Sequence, residues 1–212
     1  MIILNNISKG NIKDLSFYVS SGEMVCIIEK NQKKLKLLFN LMNGTEKVDK
    51  GAINYIDNDR YTRNMDRNQV GYVFNENIML NERTLFENLE YIMQIKEIDM
   101  FSFRSRIRRI LEIVDLKSLS TKRPKELLKH QLKRLNIAQA ILNYPPVLIL
   151  EDPTKDLDQV NSQGILKLLK RLNKFSMTVI LLSSDKDLIL GKDVRVLRID
   201  SNYNEKKKGY YV

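Results

Sequence analysis

Three short apolar runs constrain the fold of this chain more than any other feature of its sequence. Residues 24–28, 147–150 and 178–182 show no alternation with polar residues, which is typical of parallel strands buried on both faces. Helically spaced apolar residues follow the first two runs, at 35–42 and 165–172. The alternation of strand and helix predicts an α/β protein with a mainly parallel core sheet. We expect the first two runs to be neighbouring strands of that sheet.

The rest of the sequence predicts additions to this core. Residues 1–4 and 14–19 indicate short strands, so we expect antiparallel strands at the N-terminus. From about residue 84 to residue 140, three segments have apolar residues at helical spacing, which predicts a helical lobe inserted into the α/β core. Since no linker or internal repeat separates these parts, we expect one domain over residues 1–212.

Composition bears on the compartment and on the partners. The only cysteine, Cys26, lies in an apolar run, and no stretch approaches the roughly 18 apolar residues of a membrane span, so we expect a reducing, cytoplasmic location. The formal net charge is +10. Its clusters at 33–36, 104–109 and 206–208 are separated in the sequence and would have to converge to bind nucleic acid. We therefore do not expect a nucleic-acid partner.

The order of three segments resembles that of a known family. Residues 147–158 run from an apolar strand into Glu151, Asp152, Pro153 and Thr154, and they end on a Leu-Asp pair. This segment is similar to the Walker B segment of the ATP-binding cassette (ABC) ATPases. Residues 133–142 resemble the helix after the family's signature motif, and 70–75 resemble its Q-loop strand. The resemblance covers essentially the whole chain and implies a P-loop NTPase-like cassette. Within the family, residues 83–89 and the short length look most like the FtsE-like cell-division ATPases.

The segment at the family's phosphate-binding loop departs from the motif GxxxxGK[ST]. In that motif the glycines let backbone N–H groups close around phosphate at a helix N-terminus. Here Glu29 and Lys34 stand at the glycine positions, Leu35 at the lysine and Lys36 at the Mg²⁺-binding hydroxyl. We interpret the segment as a solvated basic loop, with weak phosphate or nucleotide binding by its lysines left open. The degenerate loop comprises Glu29, Asn31, Lys33, Lys34, Leu35 and Lys36.

The other positions of the family's site also differ. The Q-loop glutamine is an asparagine, the switch histidine is a serine, and the two Walker B acids are exchanged. Each acid changes its reach by about 1.5 Å, one C–C bond. A misplacement of about 1 Å can cost roughly 100-fold in rate. The equivalents of the catalytic residues are Asn75, Glu151, Asp152 and Ser184, and those of the signature serine and glycines are Leu128, Lys129 and His130.

The resemblance with these departures predicts a pseudo-ATPase, an FtsE-like subunit with a role in cell division. It would lie on the inner face of the cell membrane as the cytoplasmic partner of an integral membrane subunit, FtsX-like or a permease. It would pair with itself or with another ABC subunit. The docking groove would lie between 75–80 and a helix beginning near Thr84, with Ile78, Met79 and Leu80 either as apolar contacts or as core.

Two alternatives stay open at this point. One is a divergent but active ATPase that uses ATP and Mg²⁺, with Lys34 or Lys36 replacing the missing lysine. The other is a basic module that binds phosphate or nucleic acid. The leading hypothesis assigns no cofactor and no metal ligand, and ATP with Mg²⁺ would apply only if the site is functional.

Overall fold

The residues that the structure describes form two sheets, and the first is antiparallel and N-terminal, as expected. The computed structural model describes residues 1–57, 60–62, 69–76, 78–95, 103–186, 188, 190–191 and 193–199. The strand order in this sheet is β2-β1-β4-β5. Its strands are β1 (Ile2–Lys9), β2 (Ile12–Val19), β4 (Lys50–Asp57) and β5 (Arg60–Thr62).

The second sheet is the parallel core. Its order is β6-β7-β8-β3-β9, and every adjacent pair is parallel. The predicted parallel sheet is therefore confirmed. The strands are β3 (Met24–Ile28), β6 (Val70–Val73), β7 (Val147–Glu151), β8 (Thr178–Ser183) and β9 (Arg195–Arg198).

The expectation that β3 and β7 are neighbouring strands is wrong. Both strands lie in the same sheet, but β8 lies between them, with Val179 opposite Met24 on one side and Leu148 on the other. Every residue of β8 is buried, so this strand needs a neighbour on each edge and a covered surface on each face. The central position provides both.

Alternate residues of the core strands pack into two apolar layers. In β3, Cys26 and Ile28 face the layer that holds the helical lobe, while Val25 and Ile27 face the other layer. This division follows from the two-residue period of a strand. The buried face of the antiparallel sheet completes the second layer, with Phe17 among its largest side chains.

The described part of the chain contains five α-helices. The N-terminus of the second is fixed by a capping box, in which the Thr84 backbone N–H donates to Glu87 Oε2 (2.7 Å) and the Glu87 N–H donates to Thr84 Oγ1 (3.2 Å). The second, third and fourth helices form the lobe expected over residues 84–140. The helices are α1 (Gln32–Asn43), α2 (Leu85–Ile95), α3 (Phe103–Ile113), α4 (Lys129–Ala140) and α5 (Gln159–Lys174).

The structure bears on the basic clusters and on the question of a membrane span. The arginines of 104–109 lie on α3, whereas the lysine cluster 206–208 lies outside the described residues. Within the described ranges, no helix has both the length and the apolar character needed to cross a membrane.

The Cys26 thiol is expected to be inert in the folded protein. It is fully buried in β3, and burial raises its pKa to about 12, with a smaller contribution from the charge of Asp152. Because the thiolate is the reactive form, alkylation by iodoacetamide at pH 8 should be at least about 1,000-fold slower than after unfolding in guanidinium. Mass spectrometry of the alkylated chain measures this. Labelling of the native protein within minutes would contradict the buried placement, and Cys26→Ser is the blank.

Candidate functional site

A polar cavity of about 260 Å³ lies at the carboxyl ends of β6 and β7 and beside the first turn of α1. Ligand sites of parallel α/β sheets form at this edge. The structure brings together here five of the residues predicted from sequence, Leu35, Lys36, Asn75, Glu151 and Asp152. The cavity is lined by Gln32, Leu35, Lys36, Asn75, Glu76, Glu151, Asp152 and Lys155.

The loop that precedes α1 is short and internally bonded. Only residues 29–31 separate β3 from α1, and Asn31 caps the helix. Its side-chain Oδ1 accepts from the backbone N–H groups of Lys33 (3.0 Å) and Lys34 (3.2 Å). Such N–H groups are the donors with which a helix N-terminus binds an anion. Here the asparagine takes them, and the Lys33 side chain is exposed to solvent.

An ion pair stands where the motif has its two glycines. Lys34 Nζ lies 2.8 Å from Glu29 Oε2, and both side chains are largely buried. Lys34 Nζ also donates to the carbonyl of Ile199 (3.2 Å), and Glu29 Oε1 accepts from the N–H of Asn31 (2.9 Å). A carboxylate is thereby fixed beside the first turn of α1, and it occupies the ammonium of Lys34, which is then not free to bind an anion.

Leu35 borders the cavity, but its side chain contributes to the packing of the core. Its side chain is almost fully buried in the layer between α1 and the sheets. The position that carries a long cation in the motif GxxxxGK[ST] therefore belongs to the hydrophobic core.

The buried carboxylate of Glu151 faces an ammonium group. Glu151 is only 6% exposed, and its Oε2 lies 3.1 Å from Lys36 Nζ. The same oxygen accepts from the backbone N–H of Asn75 at 3.3 Å. Lys36 therefore neutralises the acid that ends β7.

Asp152 is bonded to the end of β8 through both carboxylate oxygens. The Ser184 backbone N–H donates to Oδ1 (2.7 Å), and the Ser184 hydroxyl donates to Oδ2 (2.8 Å). The carboxylate is nearly fully buried. The structure thus joins Asp152 and Ser184 in a link between β7 and β8.

Sequence reasoning missed Lys133, which is buried on α4. Its Nζ donates to the Asn75 backbone carbonyl (3.1 Å) and to Asn75 Oδ1 (2.8 Å). Burial lowers the pKa of this ammonium from its ordinary value, while the charges of Asp156 and Asp152 oppose the change. The signal in the sequence is its place one helical turn before buried Ile137, on the same face of α4.

The signature equivalents lie away from this cavity. Leu128 precedes α4 with an exposed side chain, and its N–H donates to the Gln131 side chain (2.9 Å). Lys129 is exposed and His130 is half-buried. Among the described residues that line the cavity, none belongs to 128–130.

This architecture defines a class of protein. A five-stranded parallel sheet with an antiparallel sheet before it, a loop-to-helix element after β3 and a helical lobe between β6 and β7 is the P-loop cassette fold. Residues 12–155, more than half of the chain, match the sequence model of the family described as ABC transporter. The chain belongs to the ABC transporter family of ATP-binding cassettes.

Two curated relatives illustrate the range of similar proteins. The cell division ATP-binding protein FtsE of Streptococcus pneumoniae is 28% identical over 207 residues, which cover 94% of this chain and 90% of FtsE. The methionine import ATP-binding protein MetN of Legionella pneumophila is 28% identical over 184 residues. These cover 84% of this chain and 54% of MetN, so the chain spans about half the length of that relative.

Solved structures support the same fold. CbiO1 of Clostridium perfringens, part of the ABC transporter complex CbiONQ, aligns with a TM-score of 0.79 at 24% identity, over 89% of this chain and 80% of CbiO1. The bacterial ABC transporter cassette MJ0796, solved as a dimer, aligns with a TM-score of 0.75 at 25% identity, over 93% and 94% of the two chains.

Proposed function

We propose that this chain is an FtsE-like ABC subunit that does not hydrolyse ATP and acts as the cytoplasmic partner of an integral membrane protein. The observation that supports this most directly is the contact of 3.1 Å between Lys36 Nζ and Glu151 Oε2. In the family's motif, position 36 carries the hydroxyl that binds Mg²⁺. Here the same position carries a cation of its own.

The residues at the site do not fit Mg²⁺-ATP. A metal ion beside Glu151 would be repelled by the Lys36 ammonium, which already lies 3.1 Å from that carboxylate. Asp152 already accepts from Ser184 with both oxygens. The first N–H groups of α1 are capped by Asn31, so phosphate would compete with an internal acceptor.

The same contacts allow an estimate of how much affinity for Mg²⁺-ATP is lost relative to a site with the intact motif. A charge-assisted hydrogen bond contributes about 1.5–3 kcal/mol. Losing two or three of them, at the missing lysine and the capped N–H groups, weakens binding by several orders of magnitude.

A second feature supports docking to a membrane subunit. A groove of about 500 Å³ runs between β6, α2 and α4, and its lining is largely apolar. Ile78 lines it with 70% of its surface exposed, and Leu80 and Tyr91 are also exposed, while Met79 packs against the core. Apolar side chains exposed together mark interaction surfaces. The relatives' names place such cassettes in cell division, import and a transporter complex, and a membrane-bound partner is common to these processes.

Purified protein is expected to show no saturable ATP hydrolysis and almost no stabilisation by Mg²⁺-ATP. With a Kd of about 10 mM or weaker, 2 mM nucleotide adds only about 0.1 kcal/mol of stability, a shift of Tm below about 1 °C. Turnover is measured by phosphate release, and binding by thermal unfolding and calorimetry.

Two results would contradict this function. One is turnover near roughly 1 s⁻¹, the low end of typical enzymes, that Asp152→Ala abolishes. The other is a micromolar, Mg²⁺-dependent and adenine-selective Kd. Either would favour a divergent, active ATPase. Trace hydrolysis that persists in Asp152→Ala would be contamination.

A further inference from the structure

We propose that Lys36 and Lys133 form an internal latch that holds the helical lobe against the parallel sheet, so that the position of the lobe is set by the protein itself and not by nucleotide. The latch comprises Lys36, Glu151, Asn75 and Lys133. This inference rests on the proposed function, because in a protein that binds no nucleotide the latch would be the link between the sheet and the lobe.

The contacts form one continuous path across four elements. Lys36 on α1 lies 3.1 Å from Glu151 at the end of β7, and the same Glu151 oxygen accepts from the Asn75 N–H at 3.3 Å. On its other side, Asn75 accepts from Lys133 on α4 with both its backbone carbonyl and its side-chain Oδ1. Asn75 follows β6 directly, so the path joins α1, β7, the end of β6 and the lobe.

Burial makes this path hard to open. Glu151 is 6% exposed and Lys133 is 8% exposed, so each charge depends on its partners inside the protein. A movement of α4 away from Asn75 would leave the Lys133 ammonium without the two acceptors that the structure gives it. Breaking a buried charged contact by removing one partner is strongly unfavourable. The arrangement of lobe and sheet in this structure is therefore favoured over one in which α4 has moved away from Asn75.

The position of the lobe distinguishes a latch from a lysine that only stabilises the fold. A purely structural lysine would change the unfolding midpoint and leave the native geometry as it is. A latch also fixes a distance. The measurement must therefore report where the lobe lies in the folded protein.

Distances between two spin labels provide this readout in the full chain. Arg109→Cys on α3 and Lys13→Cys on β2 are exposed attachment sites, while Cys26 is buried and stays unlabelled. In this background we expect a single narrow distance distribution that 5 mM Mg²⁺-ATP leaves unchanged. Adding Lys133→Gln should broaden it and shift its mean by about 2 Å or more, the scale of helix shifts in switching proteins. Lys117→Gln is the matched control, because it removes an exposed lysine of the same lobe from a surface pair with Glu112.

Each outcome decides the proposal. An unchanged distribution in folded Lys133→Gln would overturn it, and so would a shift on adding ATP to the background protein. If circular dichroism shows that Lys133→Gln does not fold, Asn75→Ala removes the Oδ1 acceptor and should broaden the distribution in the same way. If calorimetry detects ATP binding but ATP leaves the distance in the background protein unchanged, the proposed function is contradicted and the latch is not. If the distance is unchanged in both Lys133→Gln and Asn75→Ala and no ATP binding is detected, the latch is contradicted and the proposed function is not.

Discussion

Replacing Ile78 with aspartate is expected to lower co-purification of the membrane subunit at least tenfold. Ile78 is 70% exposed in the groove between β6, α2 and α4, so docking would bury it against the partner. A carboxylate buried there without a partner costs several kcal/mol, and each 1.4 kcal/mol is a factor of ten in affinity. The chain's own stability should change by no more than about 0.5 kcal/mol, because the side chain is already in solvent.

The measurement compares what the tagged chain retains from detergent-solubilised membranes of its own cells. The matched control is Phe175→Asp, which places the same charge at an apolar residue that is 76% exposed at the end of α5, outside the groove. A membrane protein retained by the wild type and by Phe175→Asp, and lost from Ile78→Asp, would identify the partner and its docking surface. Equal retention by all three chains would exclude this groove as the docking site.

The fold was predictable where burial alone decides the local structure. Residues 24–28 and 179–182 are apolar throughout, and such runs have few places in a protein other than the middle of a covered parallel sheet. The order of the strands was not predictable in the same way. The placement of β8 between β3 and β7 depends on where the chain crosses back after α5, and the apolar pattern of a strand carries no record of its neighbours.

For the site, too, the sequence predicted which residues take part but not which contacts they make. The resemblance to the ABC family predicted that Lys36, Asn75, Glu151 and Asp152 belong to one site, and all four line one cavity. Their pairings could not be predicted, because Lys36 and Glu151 are 115 positions apart and Lys133 and Asn75 are 58 apart. Whether a lysine near an acid remains in solvent or forms a buried pair depends on distances of a few ångströms, which only the folded chain sets.

Phe39→Ala is expected to destabilise the protein by about 3–5 kcal/mol, the usual cost of removing a buried aromatic side chain. Phe39 is fully buried on α1, in the layer between the two sheets. Its ring packs edge-to-face against Tyr72 (6.3 Å between centroids) and Phe74 (5.2 Å), contacts that add about 0.5–1.5 kcal/mol each beyond the buried area. The alanine would leave a cavity beside the strand that leads to Asn75.

Urea unfolding followed by circular dichroism measures this loss of free energy. In thermal unfolding, the same loss should lower Tm by about 6–20 °C for a chain of this length. Phe175→Ala is the matched control, since the same truncation at an exposed ring should change the free energy of unfolding by no more than about 0.5 kcal/mol. A loss below 1 kcal/mol for Phe39→Ala would mean that α1 does not pack between the sheets as described. Because α1 also carries Lys36, that result would remove the support for the contact between Lys36 and Glu151 as well.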